Sequence, residues 1–314
     1  HIAGQDTIPA MKLRDVNTIG MNYNSDPKVA KSPALNAFLA TGVNSKDNTQ
    51  ANGGSRGWGK GVFYAISPMK TVLVSTYSKI DEKEYFIGKA SFCHHFIGDT
   101  HYRNFGVYSD NGQEPTNNIP ERFKRKSVGY GSDIYVLGCT CDDLETRKAI
   151  VRNVIQNYWC AIAKGELKVV IKGNKDVKTF TIDNTELAKI ISGKDSTLGS
   201  LFKDFESLRG KKLDSYEPKP YFEAYNNAEA GIEKAGNKEF KKFRKKLPTL
   251  GECIFYLVKN KEISTSKVTY MRKTHMTIKT ENNTTQPSGF YGVFICDNVN
   301  GNQLLTDMEG PAHD

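Results

Sequence analysis

The chain has 314 residues, 38% apolar and 11% aromatic, enough to form real cores and too apolar for wholesale disorder. Its length suits two domains of ordinary size, and a formal net charge of +9 favours anionic partners such as nucleotides or nucleic acid. No signal peptide opens the sequence and no apolar run approaches the ~18 residues of a membrane span, so the expected setting is cytosolic, with no membrane.

Leu13 to Met21 reads as a short strand running into a turn. Residues 22–53 are mostly polar and form a long loop, interrupted by one brief helix at Ala34–Leu39. After a glycine cluster, Val62–Ile66 reads as a short buried helix ended by Ser67-Pro68. Thr71–Tyr77 alternates with β-branched residues and is a strand; Glu84–Cys93 is a second, joined to it as a hairpin through Asp81-Glu82-Lys83. Residues 98–129 make another polar connection, and Ser132–Leu137 is again a strand.

The clearest helix follows. Asp142 or Asp143 can cap it, and Ile150, Val151, Val154, Ile155, Tyr158, Trp159 and Ile162 repeat at three- and four-residue spacing before Gly165 ends it. Leu167–Ile171 and Val177–Ile182 flank Gly173-Asn174 as a hairpin. Residues 185–246 are expected to be mainly helical and charged. Cys253–Val258, Lys267–Lys279 and Gly289–Cys296 return to strands. The domain boundary is expected near Gly165, giving units over 1–165 and 166–314.

Two clusters invite chemistry without a strong pattern. Cys93, His94, His95 and His101 could suggest zinc, but adjacent histidines on a strand point to opposite faces. The six cysteines form no C-x-x-C pair and read as reduced core thiols. The run Lys241 to Lys246 is read either as a solvated helix face or as a contact for nucleic acid.

The stretch Gly53 to Gly61, GGSRGWGKG, reads G-x-x-x-x-G-K from Gly54. A phosphate loop of that type must leave a buried strand and carry a hydroxyl after the lysine. Asn44 to Asn52 is no buried strand, and Gly61 has no hydroxyl. Gly54, Gly57 and Gly59 instead make a G-x-x-G-x-G ahead of a short helix. Glycines at these spacings let backbone N–H groups approach phosphates at a helix N-terminus, and Lys60 adds a positive charge.

With Asp15-Val16-Asn17-Thr18-Ile19-Gly20 upstream and Gly131-Ser132-Asp133-Ile134 downstream, the order of motifs resembles the GHKL, or Bergerat-fold, ATPases. The phrases are similar to those of a group of bacterial ATP-binding proteins of that superfamily, including a closing E-x-P-x-H-D, here Glu309 to Asp314. The resemblance implies an α+β chain: a Bergerat-type α/β sandwich ATPase domain followed by a smaller α+β domain. It implies ATP with Mg²⁺, an ATP lid, and a possible homodimer. Asp15 would accept from the adenine amino group as a buried carboxylate, with Asn17, Thr18 and Gly20 shaping that turn and Gly20 admitting the base. Gly54, Gly57, Trp58, Gly59, Lys60 and Gly61 would line the triphosphate, and Ser132 would support the adenine.

The chain departs from the family in three places. The first turn is one residue longer than D-x-G-x-G, Ser132 replaces Thr, and no E-x-x-x-N helix precedes Asp15. The groups that would hold Mg²⁺ and activate water are therefore expected upstream of His1, and no residue is assigned to hydrolysis. Lys273 and Arg272 are candidates for reaching a terminal phosphate from the second domain, set against a charged strand edge.

Overall fold

The computed structural model describes residues 6–26, 33–40, 59–174, 177–194, 198, 217–260, 262, 266–283 and 289–308. Helices and strands are mixed throughout, an α+β fold. The chain divides into two units between Thr140 and Cys141, ahead of the long helix; the boundary read from sequence near Gly165 lies behind it.

In the first unit, β1 (Ala10–Arg14), α1 (Ala34–Leu39), α2 (Gly59–Ile66), β2 (Thr71–Tyr77) and β3 (Glu84–Ser91) are followed by β4 (His95–Ile97), β5 (Thr100–Tyr102), β6 (Phe105–Tyr108) and β7 (Gly131–Leu137). Five of these strands form an antiparallel sheet in the order β1-β7-β2-β3-β6. The hairpin β2–β3 forms as expected, with Glu82 at φ 55° in its turn. The connection 98–129 is not structureless: it carries β5 and β6, and β6 closes the sheet edge.

Alternation along β2 decides the layers. Val72 and Val74 face a core shared with Leu35, Tyr85 and Ile87, onto which Phe38 and Phe63 pack from α1 and α2. Helix α2 sits where Val62–Ile66 was expected, but it is not buried; Val62 and Ile66 are exposed. Ser75 points to the other face and donates to the Phe123 carbonyl, so the segment before β7 covers that side.

The second unit opens with α3 (Leu144–Ala163), capped by Asp143, whose carboxylate accepts from Thr146 N–H at 2.7 Å. The apolar stripe works as read: Val151, Ile155, Trp159 and Ile162 are fully buried. Then come β8 (Val169–Ile171), β9 (Phe180–Ile182), α4 (Asn184–Ile191), α5 (Lys219–Glu229), β10 (Lys234–Ala235), β11 (Lys238–Leu247), β12 (Gly251–Asn260), β13 (Ser266–Arg272), β14 (Thr277–Asn283), β15 (Phe290–Cys296) and α6 (Val299–Met308). β8 and β9 pair as the expected hairpin.

The main sheet has the order β10-β11-β12-β15-β13-β14, with β13 and β15 parallel and the other pairs antiparallel. Two expectations are corrected here. Lys238–Leu247 is a ten-residue strand, not a helix, so the basic run lies on a sheet. Lys267–Lys279 is a hairpin, β13 and β14, turned at Lys273 to Met276 with His275 at φ 50°. Of the cysteines, Cys160, Cys253 and Cys296 are buried as core thiols; Cys93 is exposed, and Cys139 and Cys141 are half-buried. Among the described residues no helix is long and apolar enough to cross a membrane.

Candidate functional site

The end of β1 is tied into the sheet by one carboxylate. Asp15 N–H donates to the Ser132 carbonyl at 3.0 Å, and Asp15 Oδ1 accepts in return from the Ser132 N–H. The same oxygen accepts from the Thr18 hydroxyl at 3.1 Å, and Gly20 N–H donates to that hydroxyl at 3.3 Å. A residue that merely capped its own turn would stop at Thr18; Asp15 also bridges 117 positions to β7. Among the described residues Oδ2 accepts no hydrogen bond. The carboxylate, expected to be buried, is exposed, beside the exposed apolar side chains of Val16 and Ile19.

The turn is shaped by backbone sterics. Asn17 has φ 60°, the left-handed region where asparagine is tolerated. Gly20 has φ +66°, and a Cβ there would overlap the Tyr77 carbonyl oxygen. The close approach that Gly20 permits here is to the end of β2. Gly131 is equally constrained: at φ +137° its Cβ would lie 2.5 Å from Asp15 Oδ1 and 2.7 Å from an Arg125 nitrogen.

Ser132 is buried, and its hydroxyl lies 3.1 Å from Thr76 Oγ1. Thr76 donates to the Gly131 carbonyl at 3.2 Å and accepts from Met21 N–H at 2.8 Å. With its one proton so used, Thr76 takes the Ser132 proton, and the Ser132 oxygen keeps its acceptor capacity. Thr76 was missed in the sequence, although a Ser-Thr pair in an otherwise apolar strand was a usable signal.

On the opposite face of β7 lies a second missed constellation. Asp133 accepts from Arg14 Nε at 2.8 Å and Nη2 at 2.6 Å, and pairs with Arg125 Nη1. Arg125 is fully buried; its Nη2 donates to the Asp15 carbonyl at 2.7 Å, and among the described residues its Nε has no partner. Burial alone would raise the Asp133 carboxyl, but the hydrogen bonds of Arg14 and the charges of Arg125 and Arg14 outweigh it and hold the group below the usual carboxylate range. Arg125 thereby positions the backbone that carries Asp15.

Gly54, Gly57 and Trp58 lie outside the described residues, as does most of the expected lid. Gly59, Lys60 and Gly61 form the first turn of α2, and the space over both glycines is open. Lys60 Nζ donates to the carbonyls of Ala37 at 2.8 Å and Ala40 at 2.7 Å. Lys89 donates to the Leu39 carbonyl, so two ammonium groups serve the carbonyl end of α1, which has no intrahelical donors left. Desolvation, then the charge of Lys60, lowers the Lys89 pKa. A cavity of about 300 Å³ lies beside them, lined by Tyr23, Asn36, Leu39, Lys89, Val107 and Gln113; Asp15 and Ser132 do not line it.

Among the described residues no three His, Cys, Asp or Glu side chains converge as a metal site would require. His94 stacks on His101 with ring centroids 5.3 Å apart, and His95 stacks on Tyr102 at 5.4 Å.

In the second unit Arg272 is fully buried on β13, a strand flanked on both sides; it is not at a sheet edge. Lys273 is exposed, its N–H donating to Asn302 Oδ1 at 3.2 Å. Next to them, buried His275 meets Glu166 at 2.6 Å through Nδ1; its Nε2 faces Lys164 at 2.9 Å and Asp297 at 3.4 Å. Glu309, His313 and Asp314 lie outside the described residues.

No protein-family model matches the sequence, and no curated protein matches it. Among solved structures the chain is similar to the 43K ATPase domain of Thermus thermophilus gyrase B in complex with an aminocoumarin. The identity is 12% and the TM-score 0.37, over 92% of this chain and 68% of that one. It is also similar to the ATPase region of Saccharomyces cerevisiae topoisomerase II bound to ICRF-187 (dexrazoxane), at 9% identity and TM-score 0.37, over 93% and 68%. A further structure of that yeast region gives 9% identity and TM-score 0.34, with the same coverage.

Proposed function

We propose that the first unit binds ATP in the manner of a GHKL ATPase, with Asp15 selecting the adenine. The observation that carries this reading is the state of one carboxylate. Asp15 Oδ1 is held by Ser132 N–H and the Thr18 hydroxyl, while among the described residues Oδ2 accepts no hydrogen bond and Asp15 is exposed, as are its neighbours Val16 and Ile19. An oriented carboxylate oxygen on an apolar rim is suited to an exocyclic amino group on a flat base. The order of the three motifs in the sequence supports the same assignment.

Asn17, Thr18 and Gly20 would act by shaping the turn, and Ser132 by offering its oxygen. Gly59 and Gly61 leave room for a phosphate to approach the first amides of α2. For Lys60 to reach that phosphate it would have to leave the α1 carbonyls. Mg²⁺ would accompany the triphosphate, and no residue of this chain is assigned to it. Lid ordering and dimerisation on binding belong to the same reading, and most of the lid, between Met21 and Gly57, lies outside the described residues.

Nucleotide titration by calorimetry tests the proposal with ATP and ITP, which lacks the 6-amino group. Asp15→Asn keeps an oxygen for Ser132 N–H but turns the open position into a donor. ATP affinity should fall roughly 10- to 150-fold, the worth of a hydrogen bond to a charged acceptor, and the preference for ATP over ITP should vanish. Equal wild-type affinity for the two nucleotides, or an unchanged variant, refutes it. A second reading, a nucleic-acid interaction module, is favoured by a separate surface on the second unit, the basic strand β11.

A further inference from the structure

Strand alternation divides the basic run of β11 into two sets. Phe240 is in the core, and Lys242, on the same face, pairs with Glu229 of α5 at 2.9 Å. Arg244 follows on that face and pairs with Glu252 at 3.3 Å. Lys241, Phe243 and Lys245 point the other way. Among the described residues Lys241 and Lys245 have no ion pair, and Phe243 between them is 50% exposed.

The register extends this outward face across the sheet. Phe243 is opposite Phe255, Phe255 is opposite Phe294, and Phe294 is level with Tyr270. Four aromatic residues on four neighbouring strands thus form one transverse row, each at least partly accessible. The Tyr270 and Phe294 rings are 5.7 Å apart. The Phe255 ring leans over Gly292, where a Cβ would come within 2.8 Å of its Cε2. The glycine therefore lets the ring lie down on the sheet and turn its other face outward. Of the acidic residues of this face, Glu239 lies on β11 four positions from Phe243, and Glu281 lies on β14 opposite Val268, at the Tyr270 end of the row, where it pairs with Lys279 at 3.2 Å.

We propose that this face of the second unit is a platform for single-stranded nucleic acid, the aromatic row stacking unpaired bases and Lys241 and Lys245 holding the backbone phosphates. Aromatic rings presented on an open sheet face, with Phe255 lying over Gly292 and Tyr270 and Phe294 tilted at 55° to each other, reach the faces of splayed bases and cannot reach those stacked inside a duplex. A second copy of this chain placed face to face would bring lysine against lysine. The proposal is independent of nucleotide binding by the first unit, which uses other residues.

Fluorescence anisotropy with labelled oligo-dT and a duplex of equal length tests it, in the full chain and over a salt series. Oligo-dT should bind more tightly than the duplex. Phe243→Ala, at a half-exposed position, should leave thermal unfolding unchanged and weaken oligo-dT binding roughly tenfold or more. Joint neutralisation by Lys241→Gln and Lys245→Gln should lower the log–log salt slope by about 1.4, from ~0.7 per phosphate contact. Lys242→Gln, in the same run but on the other face, should leave affinity as it was. No binding of oligo-dT at low salt overturns the proposal. So does duplex binding as tight as that of the single strand, or an affinity loss for Lys242→Gln equal to that for Lys241→Gln. Asp15→Asn should bind oligo-dT like the wild type, which separates failure here from failure of the nucleotide reading.

Discussion

The ion pair behind the candidate site can be opened from either end, and the two ends are not equivalent. Asp133→Asn removes the carboxylate paired with the Arg125 guanidinium, which is fully buried and among the described residues already has one nitrogen without a partner. Stranding a buried cation in this way costs about 3–5 kcal/mol. Arg125→Met leaves Asp133 with both hydrogen bonds from Arg14, at 2.8 and 2.6 Å. It also removes the unpartnered donor and refills most of the volume. What is lost is one of the two arginine partners of Asp133 and the bond to the Asp15 carbonyl, so the net cost should be about 1–2 kcal/mol. With two units, a single unfolding midpoint is not a safe measure, and hydrogen exchange in peptides from β2 and β7 reports the first unit directly. At tenfold per 1.4 kcal/mol, Asp133→Asn should speed exchange of the most protected amides roughly 140- to 3700-fold and Arg125→Met roughly 5- to 27-fold. If Arg125→Met accelerates exchange as much as Asp133→Asn, the division of labour described for this triad is wrong.

Gly20→Ala puts a Cβ into the Tyr77 carbonyl at a left-handed backbone position and should destabilise the first unit by about 1–3 kcal/mol, read from the urea midpoint of the same exchange signal. Gly61→Ala, in open space within α2, should leave stability unchanged or raise it by up to about 1 kcal/mol, while lowering ATP affinity in calorimetry. Asp183, the N-cap of α4, is held at about 2 by the Thr185 hydroxyl and the Glu186 and Thr185 N–H groups. Its folded pKa lies below the unfolded value, so its contribution is complete above about pH 4 and is lost as pH falls toward 2. Exchange of the α4 amides should rise across that window in the wild type and less so in Asp183→Asn, whose amide caps without titrating.

Where one face of an element was apolar and the other polar, the sequence announced it. The stripe of α3, the alternation of β2 and the capping Asp143 are all found where the pattern put them. β11 was hidden because both its faces are basic: Lys242 and Arg244 on one side and Lys241 and Lys245 on the other leave no visible period. The split of 267–279 was hidden because the turn uses His275 in a left-handed conformation, with no glycine or asparagine to mark it. At the site, Asp15 and Ser132 were legible as motifs, but the groups that orient them were not. Arg125 lies in a polar connection with other cations around it, and its partner Asp133 reads as one charge inside an apolar strand. It is the register of β1 on β7 that brings Arg14 and Asp15 to this pair.

That register also sets an order of events during synthesis. Arg14 and Asp133 are separated by 119 positions, and every residue of β1 pairs with β7 alone. At ~5–20 residues per second, roughly 6–24 s pass between the emergence of the two strands. Throughout that interval β1 has no strand to join and Asp15 has no Ser132 to orient it. A nascent chain halted before Ser132 would carry the aspartate and glycine motifs intact and still lack the geometry proposed to recognise adenine.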